Sequence, residues 1–248
     1  MKQTQNLLLS NDSIVPQDTV VCCQTATYEL IHKVLTQEQR DVIATYPLQG
    51  LLQIGNVQIR RQTCKKIADT YNTEWNGFYI QNKLLQIQLE DVENLMGLPS
   101  EGDVPKLVEI NTKVEIDCRR YRKQVELYKL YKDGDGAWIT YAGLVRQIKQ
   151  QKRSTDEHFI RRFCLCVICR LLCPTTKYRV SAKYLSLMLE LEDIKKVNWA
   201  KLTLDHLMEG IQQYRSPKGR KNLFGNLPLL QVVPNNYLFC TEYSVCIY

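Results

Sequence analysis

Residues 157–173 read Glu-His-Phe-Ile-Arg-Arg-Phe-Cys-Leu-Cys-Val-Ile-Cys-Arg-Leu-Leu-Cys, and Pro174 follows. From 159 to 172 only Arg161, Arg162 and Arg170 are not apolar. A helix that is apolar nearly all round belongs at the centre of a bundle, because any surface position would leave one side in water. Ser154-Thr155-Asp156-Glu157 has the spacing of a capping box and opens the helix. Pro174 closes it, since proline cannot continue the backbone ladder. The run falls short of the roughly 20 apolar residues that span a bilayer. The expected class is therefore mainly α: an irregular helical bundle with a buried central helix and at most a small β-hairpin.

The flanking pattern supports this. Thr36 and Gln39 form a second capping box, predicting a short helix stopped by Pro47. Ile59, Cys64, Ile67 and Tyr71 recur at helical spacing and predict a helix over about 56–71. Phe78-Tyr-Ile80 and Leu84 to Leu89 read as two short strands around Gln81-Asn82-Lys83. A short helix over 91–96 ends at Gly97, with Pro99 beyond. A basic helix over 118–131 is broken by Asp133-Gly-Asp-Gly136, and Thr140 caps the next. Ser181 starts another, and Asn198 caps the last long one, with a stripe of Ala200, Leu204, Leu207, Met208, Ile211 and Tyr214. These elements suggest a helical domain over 36–233, preceded by a loosely structured segment 1–35 and followed by a divergent tail 234–248.

The chain has 248 residues, 44% of them hydrophobic, so a substantial core is available. Its 11 Gly and 8 Pro are too few for a turn-rich all-β fold. The N-terminal stretch lacks a secretory apolar region, so the ten cysteines are expected reduced and the chain not secreted.

No catalytic constellation stands out. Cys166, Cys169 and Cys173 share one helical stripe at about 100° per residue, while Cys164 points away, so one helix cannot wrap all four round a tetrahedral ion. The expectation is no metal site. Asp133-Gly-Asp-Gly136 echoes a calcium loop, but Tyr131 and Ala142 fall where the first and twelfth ligands belong. His32, His158 and His206 read as structural or solvated, and no phosphate-cradling glycine loop occurs. The chain is expected to be no enzyme and to carry no cofactor.

Five basic clusters punctuate the sequence: Arg60-Arg61, Lys65-Lys66, residues 119–123, residues 149–153 and residues 218–221. With a net charge of only +7, any nucleic-acid contact is expected to be weak and non-specific. The expected contacts are Arg119, Arg120, Arg122, Lys123, Lys149, Lys152 and Arg153, since the two stretches flank one turn and one helix.

Three pieces taken in order, residues 50–72, 89–104 and 159–211, resemble the plant mobile domain, a family also labelled aminotransferase-like. The signature elements are Asp91-Val92 followed by Gly97-Leu98-Pro99, then the apolar helix with Cys173-Pro-Thr-Thr176. The resemblance covers about residues 48–232. It implies a helical, non-catalytic interaction module from a plant, nuclear or nucleocytoplasmic, linked to transposon silencing or genome maintenance. The partner it implies is a phosphatase-like or other nuclear protein. The alternative is a transposon-derived nucleic-acid-binding protein.

Overall fold

In the computed structural model the apolar run is the centre of the molecule. The structure describes residues 20–21, 24–110, 119–175, 179–217 and 222–232. Helix α7 (Glu157–Val167) continues into a π-helical turn (Ile168–Leu172), closed by the Cys173 amide on the Ile168 carbonyl at 2.8 Å. Every residue from Phe159 to Cys169 is buried, the two arginines included. Its N-cap is Asp156, whose carboxylate accepts from the Phe159 amide at 2.8 Å. The cap thus falls two residues later than the Ser154 spacing suggested, because a carboxylate beside the first-turn amides also suits the helix dipole.

The three interrupting arginines are anchors. Arg161 donates to the carbonyls of Met188 (2.8 Å) and Leu189 (2.9 Å) and pairs with Glu157 at 2.8 Å. Arg162 donates to Gln147 (3.0 Å) and Gln151 (2.6 Å). The Arg170 guanidinium lies 4.5 Å above the Tyr141 ring, whose hydroxyl donates to the Ala26 carbonyl at 2.8 Å. A buried charge is tolerated when its hydrogen bonds are satisfied, as for Arg161; Arg161 ties the central helix to residues 188–189, and Arg162 and Arg170 tie it to the two ends of the segment 141–151.

Those neighbours follow in chain order. Helix α1 (Gln24–Glu29) runs into a π-turn (Leu30–Val34) and packs against the π-turn of the central helix. The segment read from sequence as loose thus contributes Leu30, Ile31 and Leu35 to the core. Helix α2 (Gln37–Ile43) has the reciprocal Thr36–Gln39 capping box. Helix α3 (Arg61–Asp69) is shorter than its periodicity predicts, with residues 54–60 non-helical. The Gly55 and Gln58 carbonyls accept from the side chains of Gln24 and Gln231, and the Arg60 amide donates to Gln231. Long-range partners thus satisfy a backbone that local periodicity would have coiled.

A three-stranded antiparallel sheet joins β2 (Tyr71–Asn72), β3 (Gly77–Ile80) and β4 (Lys83–Leu85). Gln81 and Asn82 both have positive φ, as a tight two-residue hairpin turn requires. Helix α4 (Leu89–Met96) ends on Gly97 at φ +60, and a Cβ there would meet the backbone of Gly50. Helices α5 (Arg119–Tyr131) and α6 (Tyr141–Gln150) are linked by the Asp133–Gly136 turn. Short strands β5 (Ile139–Thr140) and β6 (Arg179–Val180) pair antiparallel. Ser181 caps a 3-10 helix (Ala182–Leu187), not an α-helix. Helices α8 (Leu191–Lys196) and α9 (Trp199–Arg215) follow, the latter capped by Asn198 as expected. Strand β1 (Val20–Val21) pairs in parallel with β7 (Leu223–Phe224), and residues 227–232 are helical. The fold is mainly helical with short strand pairings, and among the described residues no helix is long and apolar enough to cross a membrane.

Candidate binding groove

A concavity of about 780 Å³ lies where residues 103–108 pass over α5, the 3-10 helix and α8. Its near wall is a strap of extended chain. At one end the Asp103 amide donates to Lys196 (2.6 Å) and the Asn198 amide to Asp103 (3.0 Å). Gly102 makes that approach possible, with φ +119 and no side chain to strike the Lys196 carbonyl. Farther on, side chains hold the strap. The Ser186 hydroxyl sits against the Lys106 carbonyl (3.1 Å) and accepts from the Val108 amide (3.3 Å). The buried Gln124 amide donates to the Val108 carbonyl (2.7 Å) and the Ala182 carbonyl (3.1 Å).

The lining is apolar with a charged rim. Leu187, Leu189 and Val197 form the floor, and Val104 and Val108 stand 58% and 46% exposed on the strap. Arg120 on the rim pairs with Asp193 at 3.0 Å. Among the described residues Lys106 and Lys196 have no ion pair, and neither has Asp103, so the rim carries two unneutralised cations beside one carboxylate. The groove can therefore hold apolar surface below and an anionic group above.

The expected nucleic-acid residues differ in what surrounds them. Arg120 and Lys123 turn toward α8, where Asp193 and Glu190 (2.7 Å) neutralise them. Arg119 and Arg122 are exposed on the same helix. Lys149, Lys152 and Arg153 are exposed at the far end of α6, a helix that packs on α7. The first stretch therefore serves the groove rim as well as solvent. Residues 218–221 lie outside the described residues.

The reactive side chains are held in structural roles. Burial pushes the thiols of Cys64 and Cys169 up to about 11 and those of Cys164 and Cys173 to about 12, and holds that of Cys166 well above the usual thiol range. A thiol kept protonated is a poor nucleophile and a poor metal ligand. Cys173 donates to the Leu202 carbonyl at 3.8 Å. His158 meets the buried Tyr131 hydroxyl at 2.8 Å, and His206 meets the Pro174 carbonyl at 3.2 Å. Asp133 accepts from Thr140 (2.7 Å) and Arg146 (3.2 Å), which makes the Asp-Gly-Asp-Gly turn a clamp on the start of α6. Among the described residues no group of three or more His, Cys, Asp or Glu is placed to hold a metal ion.

The groove was not legible from sequence. Ser186 and Gln124 carry no motif. The available signal was Val104 and Val108, apolar residues in a stretch with no helical or strand partner.

The chain belongs to a family described as a domain of unknown function, DUF8566, whose model matches residues 21–231. No curated protein and no solved structure matches it.

Proposed function

We propose that the chain is a non-catalytic protein-interaction module, and that its ligand is an extended, mainly apolar peptide carrying a carboxylate. The observation that carries this is the groove: an apolar floor under a rim on which Lys106 and Lys196 have no acidic partner among the described residues. Apolar concavities with a few charged groups are the usual form of a ligand site. Peptide side chains would cover the floor, and the lysines would fix the position of the carboxylate. The raised thiols support a non-catalytic reading. The resemblance to the plant mobile domain supports a nuclear or nucleocytoplasmic module, with a phosphatase-like or other nuclear partner, in transposon silencing or genome maintenance. Exposed Arg119, Arg122, Lys149, Lys152 and Arg153 support a second reading, a transposon-derived nucleic-acid-binding protein.

Selection of random twelve-residue peptides on the full chain tests the groove. Recovered ligands should combine apolar residues with Asp or Glu. They should lose at least tenfold in affinity to Val108→Asp and to Lys106→Glu, both exposed substitutions. Ligands that bind these variants as well as the wild type would remove the groove from consideration.

A further inference from the structure

We infer that the strap of residues 104–108 is an unpaired β-strand, and that the groove's peptide adds to its free edge as a second strand. The inference rests on the peptide reading above, and it specifies how the peptide is held and what pattern it carries. In strand addition the main-chain hydrogen bonds give affinity and alternate side chains give specificity.

The strap has two marks of a strand. Its exposure alternates: Val104, Lys106 and Val108 are exposed, whereas Pro105 and Leu107 are half-buried, and Leu107 packs against the core. A period of two places 104, 106 and 108 on one face. Its bonded groups also fall on one edge. The Ser186 hydroxyl spans the Lys106 carbonyl and the Val108 amide, and the Gln124 amide reaches the Val108 carbonyl. In an extended chain, residues two apart turn their N–H and C=O to one edge, and the residue between turns its own to the other. The opposite edge therefore presents the Pro105 carbonyl and the N–H and C=O of Leu107. Among the described residues no group hydrogen-bonds the Leu107 backbone. Side chains of α5 and the 3-10 helix thus take the place of a neighbouring strand on one edge and leave the other open. The parallel bridge between Asp103 and Val197 fixes the near end of the strap.

An antiparallel peptide satisfies this edge. Leu107 exchanges two hydrogen bonds with the residue opposite, and Pro105, which lacks an N–H, still accepts one. Val104, Lys106 and Val108 then fall in the close, non-hydrogen-bonded pairs, where facing side chains interact most directly. Opposite them the peptide carries an apolar, an acidic and an apolar residue at every second position. A second copy of this chain is a poorer occupant. Two antiparallel straps in the register that opposes Val104 to Val108 would set Lys106 against Lys106, and like charges directly opposite destabilise a sheet.

The test titrates the full chain with the acetylated, amidated heptapeptide Thr-Val-Thr-Glu-Thr-Val-Thr, whose two valines and glutamate share one face. Binding should saturate below about 1 mM, and saturation should slow exchange of the Leu107 amide, followed by NMR, at least tenfold. N-methylation of the third and fifth peptide amides, which face the strap, should weaken binding at least tenfold. N-methylation of the fourth and sixth should weaken it less than threefold. Lys106→Glu should weaken binding at least tenfold, and the peptide with Lys in place of Glu should recover the loss. No binding at about 1 mM would overturn the inference. So would losses from the second methylated peptide that match those from the first, or a Leu107 amide already protected in the free chain, as pairing between two copies would make it. If peptides recovered by selection lose affinity to Val108→Asp yet tolerate methylation at either set of amides, strand addition fails and the groove reading stands. If no selected peptide responds to Val108→Asp or Lys106→Glu, the groove reading fails and this inference falls with it.

Discussion

Replacing Arg161 with methionine keeps an unbranched stem in the core but removes the guanidinium that joins α7 to residues 188–189. Met188 and Leu189 are both buried, so their carbonyls lose charged donors at 2.8 and 2.9 Å with no water to replace them. Stranding a buried acceptor costs about 1–3 kcal/mol, or about 2–6 kcal/mol for two. Removing the buried cation gives back part of its own desolvation penalty, which places the net loss at about 2–4 kcal/mol. That is a large share of a typical stability of about 5–15 kcal/mol. At roughly 2–4 °C per kcal/mol for a chain of this size, the melting temperature should fall by about 4–16 °C. Thermal melts followed by circular dichroism, with urea titrations to confirm an unchanged slope, make the measurement. Glu157→Gln is the control, because Glu157 is 51% exposed and an ion pair with a wet partner contributes little. If Arg161→Met melts within 2 °C of the wild type, the two carbonyls do not depend on Arg161. If Glu157→Gln falls as far as Arg161→Met, the ion pair is the seat of the energy.

Three further outcomes are expected. In native protein at pH 8, peptide mapping after brief alkylation should find Cys64, Cys164, Cys166, Cys169 and Cys173 unmodified, and all should react in urea; labelling of any of them in the folded state would contradict their burial. Burial holds the imidazole of His206 below its ordinary pKa of 6.5; its neutral form therefore contributes stability that is complete above 6.5 and declines as pH falls from there toward the lowered folded value. His206→Gln should flatten that decline, and an identical pH profile in the variant would assign the dependence to another group. Gly210→Ala should lower the urea midpoint although alanine is the better helix former, because the added Cβ would strike the Phe224 carbonyl; a raised midpoint would mean that β7 does not lie against α9.

What the sequence disclosed was what is local. The Thr36–Gln39 box, Thr140, Asn198 and Gly97 cap their helices through contacts within four residues, and each was readable. The apolar run was readable as a centre because burial on all sides leaves no polar face to conceal. The start of α3 was misplaced because Gln231, 171 residues away, holds the Arg60 amide. The groove escaped because it is assembled from four segments, and its staples, Ser186 and Gln124, act through tertiary contacts alone. The basic residues were visible as charge, but not which of them Asp193 and Glu190 would neutralise.

The three arginines of the central helix also set an order of assembly during synthesis. The acceptors of Arg162 lie 15 and 11 residues upstream, and the ring beneath Arg170 is upstream as well. Those two sides of the helix can close as soon as it leaves the ribosome. Arg161 must wait for carbonyls 27 and 28 residues downstream. Until they emerge, burying its charge carries a penalty of several kcal/mol, so one side of the helix stays in water while the other docks. The same guanidinium that locks the finished core keeps an otherwise greasy segment wetted on that side through the interval in which a nascent chain is most prone to aggregate.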